Sequence, residues 1–250
     1  MIALTALLKK IFRKKENKLD LVYPVSWETM DFDDFRSVCI VLSSPHGREE
    51  TLFLCFCKLA GLIPDNPKKY DPKKLKNKMP FLYKGKSYVI GSRVISEAAN
   101  QMSFILDQIG LPPSPFRQVD RHLFGISFKQ FFEADSFILR AISDNENGAW
   151  FREAAKKLTR GQVTHLIPWQ RKAIVLWWNG VKAYLKEKYP YVFQDGSGYS
   201  SKTQADILQE LLSALNDNRP QNNEDILKCD VHSVLYSLNQ IYNDAKRRLS

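Results

Sequence analysis

A chain of 250 residues, 44% hydrophobic and 12% aromatic, holds material for one large domain or two modest ones and is too apolar to be disordered throughout. No apolar run approaches the roughly 18 to 20 residues that a membrane crossing requires. The formal charge of +10 is local: residues 9–18 and 68–78 each carry +5, and the remainder balances 25 basic against 25 acidic residues, which argues against a DNA-binding face spread over the whole molecule.

In chain order, Leu4, Leu7, Leu8, Ile11 and Phe12 recur at helical spacing beside Lys9, Lys10, Arg13, Lys14 and Lys15. This predicts a basic amphipathic helix within residues 1–18, able to pack on its own domain, enter a partner's groove or lie on a lipid surface. Positive charge follows the apolar stretch rather than preceding it, so the arrangement is not that of a secretory signal, and a reduced, cytoplasmic protein is expected. Phe32, Phe35, Val38, Cys39 and Leu42 form the stripe of a second helix, with Asp31 or Thr29 placed to cap it. "SSPHG" breaks that helix, and a third runs from Arg48 to Leu59 before Ala60-Gly61, giving an αα-hairpin.

The Pro- and Lys-rich stretch from Ile63 to Met79 reads as an exposed loop. It is followed by a β-hairpin at about residues 80–90, where Phe81-Leu82-Tyr83 and Tyr88-Val89-Ile90 flank Lys84-Gly85-Lys86. Ser92 to Gln108 returns to helical periodicity. "GLPPSPFRQVDRHLFGI" is a loop, and Ser127 with Gln130 forms a capping box opening the helix "SFKQFFEADSFILRAI". Shorter helices follow at Trp150–Thr159 and Thr203–Leu215, and a longer one at Asp230–Arg248 with Asp230 as its cap.

Between them, Pro168 opens a helix reaching about Lys188. Ala173 to Trp178 are six consecutive apolar residues, which at 100° per residue surround the helix and demand enclosure on nearly every side. Trp177 and Trp178 point about 100° apart, suiting two inter-helix spaces better than one flat stacking platform for nucleic acid. The fold class expected is mainly α: a multi-helix bundle with one small β-hairpin insertion, organised as residues 1–18, 24–110 and 120–250, the last built around the 168–188 helix and either separate from 24–110 or continuous with it.

Chemical constellations are sparse. Asp31, Asp33 and Asp34 could hold Mg²⁺, but acidic groups at a helix start have a plainer cause in the helix dipole. "DNENG" at 144–148 fails as a calcium loop because its twelfth position is Ala155. Cys55 and Cys57 lie two apart on a helix with no second pair at zinc spacing. His46, His122, His165 and His232 are scattered, with no context pairing any of them with a nucleophile. No phosphate-cradling G-K-[ST] or G-x-G-x-x-G loop occurs. No enzyme, cofactor or metal is expected.

"PVSWETMDFDDFRSVCIVLSSPHGREETLFLCFCKLAGL" resembles phage tail assembly chaperones and related morphogenesis proteins in its order of Trp27, Met30 and Phe35 leading into a helix pair. "LFGISFKQFFEADSFILRAI", "YLKEKYPYVF" and the closing helices are similar to structural-module proteins of phages infecting Bacteroides-type hosts. The resemblance covers about half the chain. It implies a non-enzymatic factor of the host cytoplasm that shields apolar helices of a tape-measure protein, and Leu4, Leu8, Ile11, Phe12 and Trp27 are the expected partner contacts. The alternative is a nucleic-acid-associated protein whose phosphate contacts are Lys9, Lys10, Arg13, Lys14, Lys15, Lys68, Lys69, Lys73, Lys74, Lys76 and Lys78.

Overall fold

A computed structural model of the chain describes residues 21–64, 78–108, 110–193, 204–216 and 220–249. The fold is mainly α with a small antiparallel sheet, and the chain divides into two compact units after residue 109.

The first unit opens with helix α1 (Phe32–Leu42), whose cap is Asp31 and not Thr29: the Asp31 carboxylate accepts the Asp34 backbone N–H at 2.8 Å. Helix α2 (Arg48–Leu59) ends at Gly61 with φ of +66°, and the Leu62 N–H returns to the Cys57 carbonyl at 2.8 Å. A positive φ there is cheap only for glycine, which explains the stop. The two helices pack their Phe, Val and Cys faces together around Trp27, whose ring meets Phe35 edge-on at 5.7 Å and Phe104 at 5.2 Å.

The sheet is larger than the expected hairpin. Strands β2 (Lys78–Tyr83) and β3 (Lys86–Gly91) pair about Lys84-Gly85, both with positive φ as a two-residue hairpin turn needs. Met79 and Phe81 face the core while Lys78, Pro80 and Leu82 face out. A two-residue strand β1 (Ile63–Pro64) joins as a third, with Ile63 opposite Leu82 and Pro64 opposite Phe81, where a loop is expected from the sequence. Proline is tolerated there because β1 is an edge strand. The expected single helix from Ser92 to Gln108 is two, α3 (Ser92–Asn100) and α4 (Ser103–Asp107), separated by a turn at Gln101-Met102.

The second unit begins with residues 110–127, a segment without regular structure whose Leu111–Phe116 portion is buried. Helix α5 (Phe128–Ser143) starts on the expected Ser127–Gln130 capping box, and α6 (Gly148–Leu158) packs along it. Helix α7 (Pro168–Lys188) carries the tryptophan pair. Trp177 is 0% and Trp178 1% exposed, filling separate spaces against Phe116 and Phe131. Each indole N–H has a partner: Trp177 donates to the Arg121 carbonyl at 2.9 Å, and Trp178 to the Asp135 carboxylate at 2.8 Å. A stacking platform for nucleic acid at this pair is ruled out by that burial.

Helices α8 (Gln204–Leu215), α9 (Asn223–Lys228) and α10 (Val231–Leu249) complete the unit, α9 following a 3₁₀ turn at Pro220–Asn222. The sequence does not announce α9, which is only six residues long. The starts of α5 and α10 are tied by a short bridge, Phe128 N–H to the Cys229 carbonyl at 2.8 Å and Val231 N–H to the Ile126 carbonyl at 2.9 Å. No helix of the described residues is long and apolar enough to cross a membrane.

Candidate functional site

Two histidines that lie 110 residues apart meet in the second unit. The carbonyl of His122 can only accept, so the proton of neutral His232 sits on Nε2, which donates to that carbonyl at 2.6 Å. Nδ1 then accepts the Tyr189 hydroxyl proton at 2.9 Å. The Asp230 carboxylate accepts the backbone N–H groups of His232 and Gly125 at 2.9 and 2.8 Å, tying the start of α10 to residue 125. Lys188 lies over the rings of Phe124, Tyr184 and Tyr189 and donates to the Tyr184 hydroxyl at 2.9 Å.

Burial pushes the pKa of His232 down, with Lys188 adding in the same direction. Burial also lowers His122, although Asp120 opposes it. The Tyr189 hydroxyl is raised by burial, and the hydrogen bond from Lys188 to Tyr184 raises the ammonium of Lys188. This is an arrangement for holding, since both nitrogens of His232 are spent on the fold and neither is left to take a substrate's proton. The cluster clasps residues 120–125 to the end of α7 and the start of α10.

Other candidate chemistry resolves the same way. The Asp31 carboxylate is occupied as a helix cap, and the Asp34 carboxyl is pushed up by burial and by Asp31. Cys55 and Cys57 are buried thiols raised to about 12, the charged form being disfavoured by desolvation. Asp144 and Asn147 bond to each other at 2.7 Å, Asn147 also capping α6. Among the described residues no group of three or more His, Cys, Asp or Glu side chains is placed to hold a metal ion.

An open groove of about 840 Å³ runs along α5. Its floor is a stripe of that helix at positions 129, 132, 133, 136, 139–140 and 143–144, the spacing of one helical face. Trp150 from α6 forms part of one wall, its ring stacked on Phe137 at 5.9 Å with the Arg140 guanidinium 5.5 Å above it. Leu208 from α8 and Leu227 from α9 add apolar surface. Phe132 is half-buried in the floor, while Leu139 and its neighbour Ile142 are 42% and 44% exposed. Along the stripe Lys129, Glu133, Arg140 and Asp144 alternate in sign. An apolar track with charged edges suits an amphipathic helix.

Of the expected site residues, Trp27 and Lys78 are among the described ones. Trp27, taken from the sequence as a partner contact, is fully enclosed in the first unit and is a core residue there. Lys78 is exposed at the start of β2. Leu4, Leu8, Ile11, Phe12, Lys9, Lys10, Arg13, Lys14 and Lys15 lie outside the described residues, as do Lys68, Lys69, Lys73, Lys74 and Lys76. Of the four cysteines, Cys39, Cys55 and Cys57 are buried and Cys229, just past the end of α9, is exposed.

The sequence does not mark the groove: at 100° per residue the apolar positions 128, 131, 132, 138, 139 and 142 of α5 share one arc of about 120°, so Phe132 and Leu139 read as part of the buried face. No protein-family model, no curated protein and no solved structure matches this chain.

Proposed function

We propose that the chain is a non-enzymatic protein-binding factor that holds an amphipathic helix of a structural partner, in the manner of a phage tail assembly chaperone or a related virion-assembly protein. The observation that carries the reading is the groove along α5, whose floor exposes Leu139 beside half-buried Phe132 among charges that alternate in sign. Helices seated in such grooves are read through anchors at i, i+3, i+4 and i+7. The virion setting comes from the resemblance around Trp27, Met30 and Phe35; in this chain those three side chains serve packing, being 0%, 5% and 0% exposed. The partner it implies is a helix of a tape-measure protein, held until assembly buries that helix elsewhere.

Leu139→Glu tests the reading, since it places a charge on the groove floor without touching the core side of α5. Captured from cells that make its partner, the wild-type chain should retain a structural virion protein, and the variant should lose it with unchanged far-UV circular dichroism. Equal recovery by both proteins would reject the groove as the contact. The nucleic-acid alternative keeps only residues 9–18 and 68–78, the tryptophan pair having gone to the core.

A further inference from the structure

The small sheet of the first unit is apolar on the side turned away from the core. Ile63 of β1 stands opposite Leu82 of β2, and Pro80 of β2 stands opposite Val89 of β3, so these four side chains share one face. Ile63 is 63%, Leu82 42% and Val89 61% exposed, with Pro80 exposed beside them. An antiparallel sheet with one face in water alternates apolar residues inside with polar residues outside. Here Met79, Phe81 and Ile90 fill the core, and most of the positions between them are aliphatic as well. Among the outward side chains of the paired register only Lys78 and Ser87 are polar. A face left apolar in this way marks a contact.

The charge around the face has one sign. Lys78 closes one end, and Lys84 and Lys86 stand at the hairpin end. The strands and their turn hold no aspartate or glutamate. Among the described residues no carboxylate pairs with any of the three lysines, and Lys84 rests 5.2 Å over the Tyr83 ring, which leaves its charge uncompensated. The surface that covers this face has to be apolar and anionic together. Protein contacts of that kind are anchored by Trp, Tyr and Arg, none of which lies on the outward face. Aliphatic side chains with lysines at the ends suit a bilayer boundary, where the apolar groups enter and the long lysine stems carry their charge to the headgroups.

We infer that the outward face of the three-stranded sheet docks on a lipid surface with acidic headgroups. Ile63, Leu82 and Val89 enter it, and Lys78, Lys84 and Lys86 meet the headgroup phosphates. The contact lies in a different unit from the α5 groove and does not depend on it.

Flotation of the full chain with vesicles of phosphatidylcholine alone, and of phosphatidylcholine mixed with phosphatidylglycerol, tests it. The wild type should float with the acidic vesicles only, and high salt should release it. Val89→Glu puts a carboxylate on the exposed face without altering the core and should abolish flotation. Lys84→Gln combined with Lys86→Gln should weaken binding by about 25-fold, at about fivefold for each lysine near the surface. Circular dichroism of both variants establishes that the fold is intact.

A wild type that floats with neither vesicle overturns the docking and leaves the face to an acidic protein surface. Equal flotation with both vesicles, or flotation indifferent to Val89→Glu and to the lysine pair, would overturn it as well, the last placing lipid contact outside the sheet. None of these results bears on capture of a virion protein, which the Leu139→Glu experiment judges separately.

Discussion

Gly180 is the residue where two rules collide. A glycine in the middle of α7 sacrifices about 1 kcal/mol of helix propensity relative to alanine. A Cβ added there would lie 2.5 Å from Cδ of Pro112, 3.0 Å from the carbonyl oxygen of Gly110 and 3.2 Å from Cα of Leu111. Two of these are backbone atoms that cannot rotate away, so the glycine lets residues 110–112 lie directly on the helix. Gly180→Ala should therefore destabilise the protein by about 1–3 kcal/mol in urea unfolding, the overpacking outweighing the propensity gain.

His232 makes a second prediction at this scale. Its folded-state pKa lies below the ordinary value of about 6.5, as does that of His122, so the unfolded chain takes up these protons first as pH falls. Folding is unpenalised above that value, and stability is lost as pH drops from there through the lowered folded-state values. A protonated Nδ1 could no longer accept from Tyr189, while Lys188 repels the new charge and Asp120 and Asp230 partly offset it. Urea midpoints should fall between pH 7 and 5, and His232→Gln should shallow the slope while lowering the midpoint at pH 7.

Among the elements, α5 is the one that faces two ways. Its inner side carries Asp135 at a position flanked by apolar residues, and the structure supplies the reason: the carboxylate accepts both the Trp178 indole N–H and the Lys182 ammonium at 2.8 Å. Asp135→Ala would strand a buried donor and should cost about 1–3 kcal/mol. Asp135→Asn keeps an acceptor for the indole and gives up only the part-exposed ion pair, costing about 1 kcal/mol or less. Comparing the two denaturation midpoints separates the hydrogen bond from the charge.

The helices themselves were legible because their apolar period, caps and breakers agree: the Ser127–Gln130 box, Pro168 and Gly61 all stand where the sequence places them. What escaped had too few residues to show a period. Strand β1 has two residues, and its pairing depends on β2, which lies 14 positions on. Helix α9 has six residues and none is buried, so no stripe marks it. The break at Gln101-Met102 is hidden because Met102 and Ile105 keep an apolar rhythm while the backbone turns.

At the scale of the whole molecule, enclosure was predictable and juxtaposition was not. Six apolar residues in a row on α7 demand burial wherever they go, but nothing in the sequence says that His122 and His232 will share a hydrogen bond. The groove belongs with the second case, since its walls come from helices 10 to 90 residues further on. The division after residue 109 has a practical consequence through the cysteines. Cys39, Cys55 and Cys57 are buried in the first unit, and Cys229 is exposed in the second. A thiol-specific alkylating reagent should therefore modify Cys229 at once under native conditions, and the other three only as fast as the first unit opens. Mass spectrometry of the time course would count those slower additions, and with Cys229 already blocked the chain becomes a clock for the breathing of its own N-terminal half, with no dye, tag or mutation introduced.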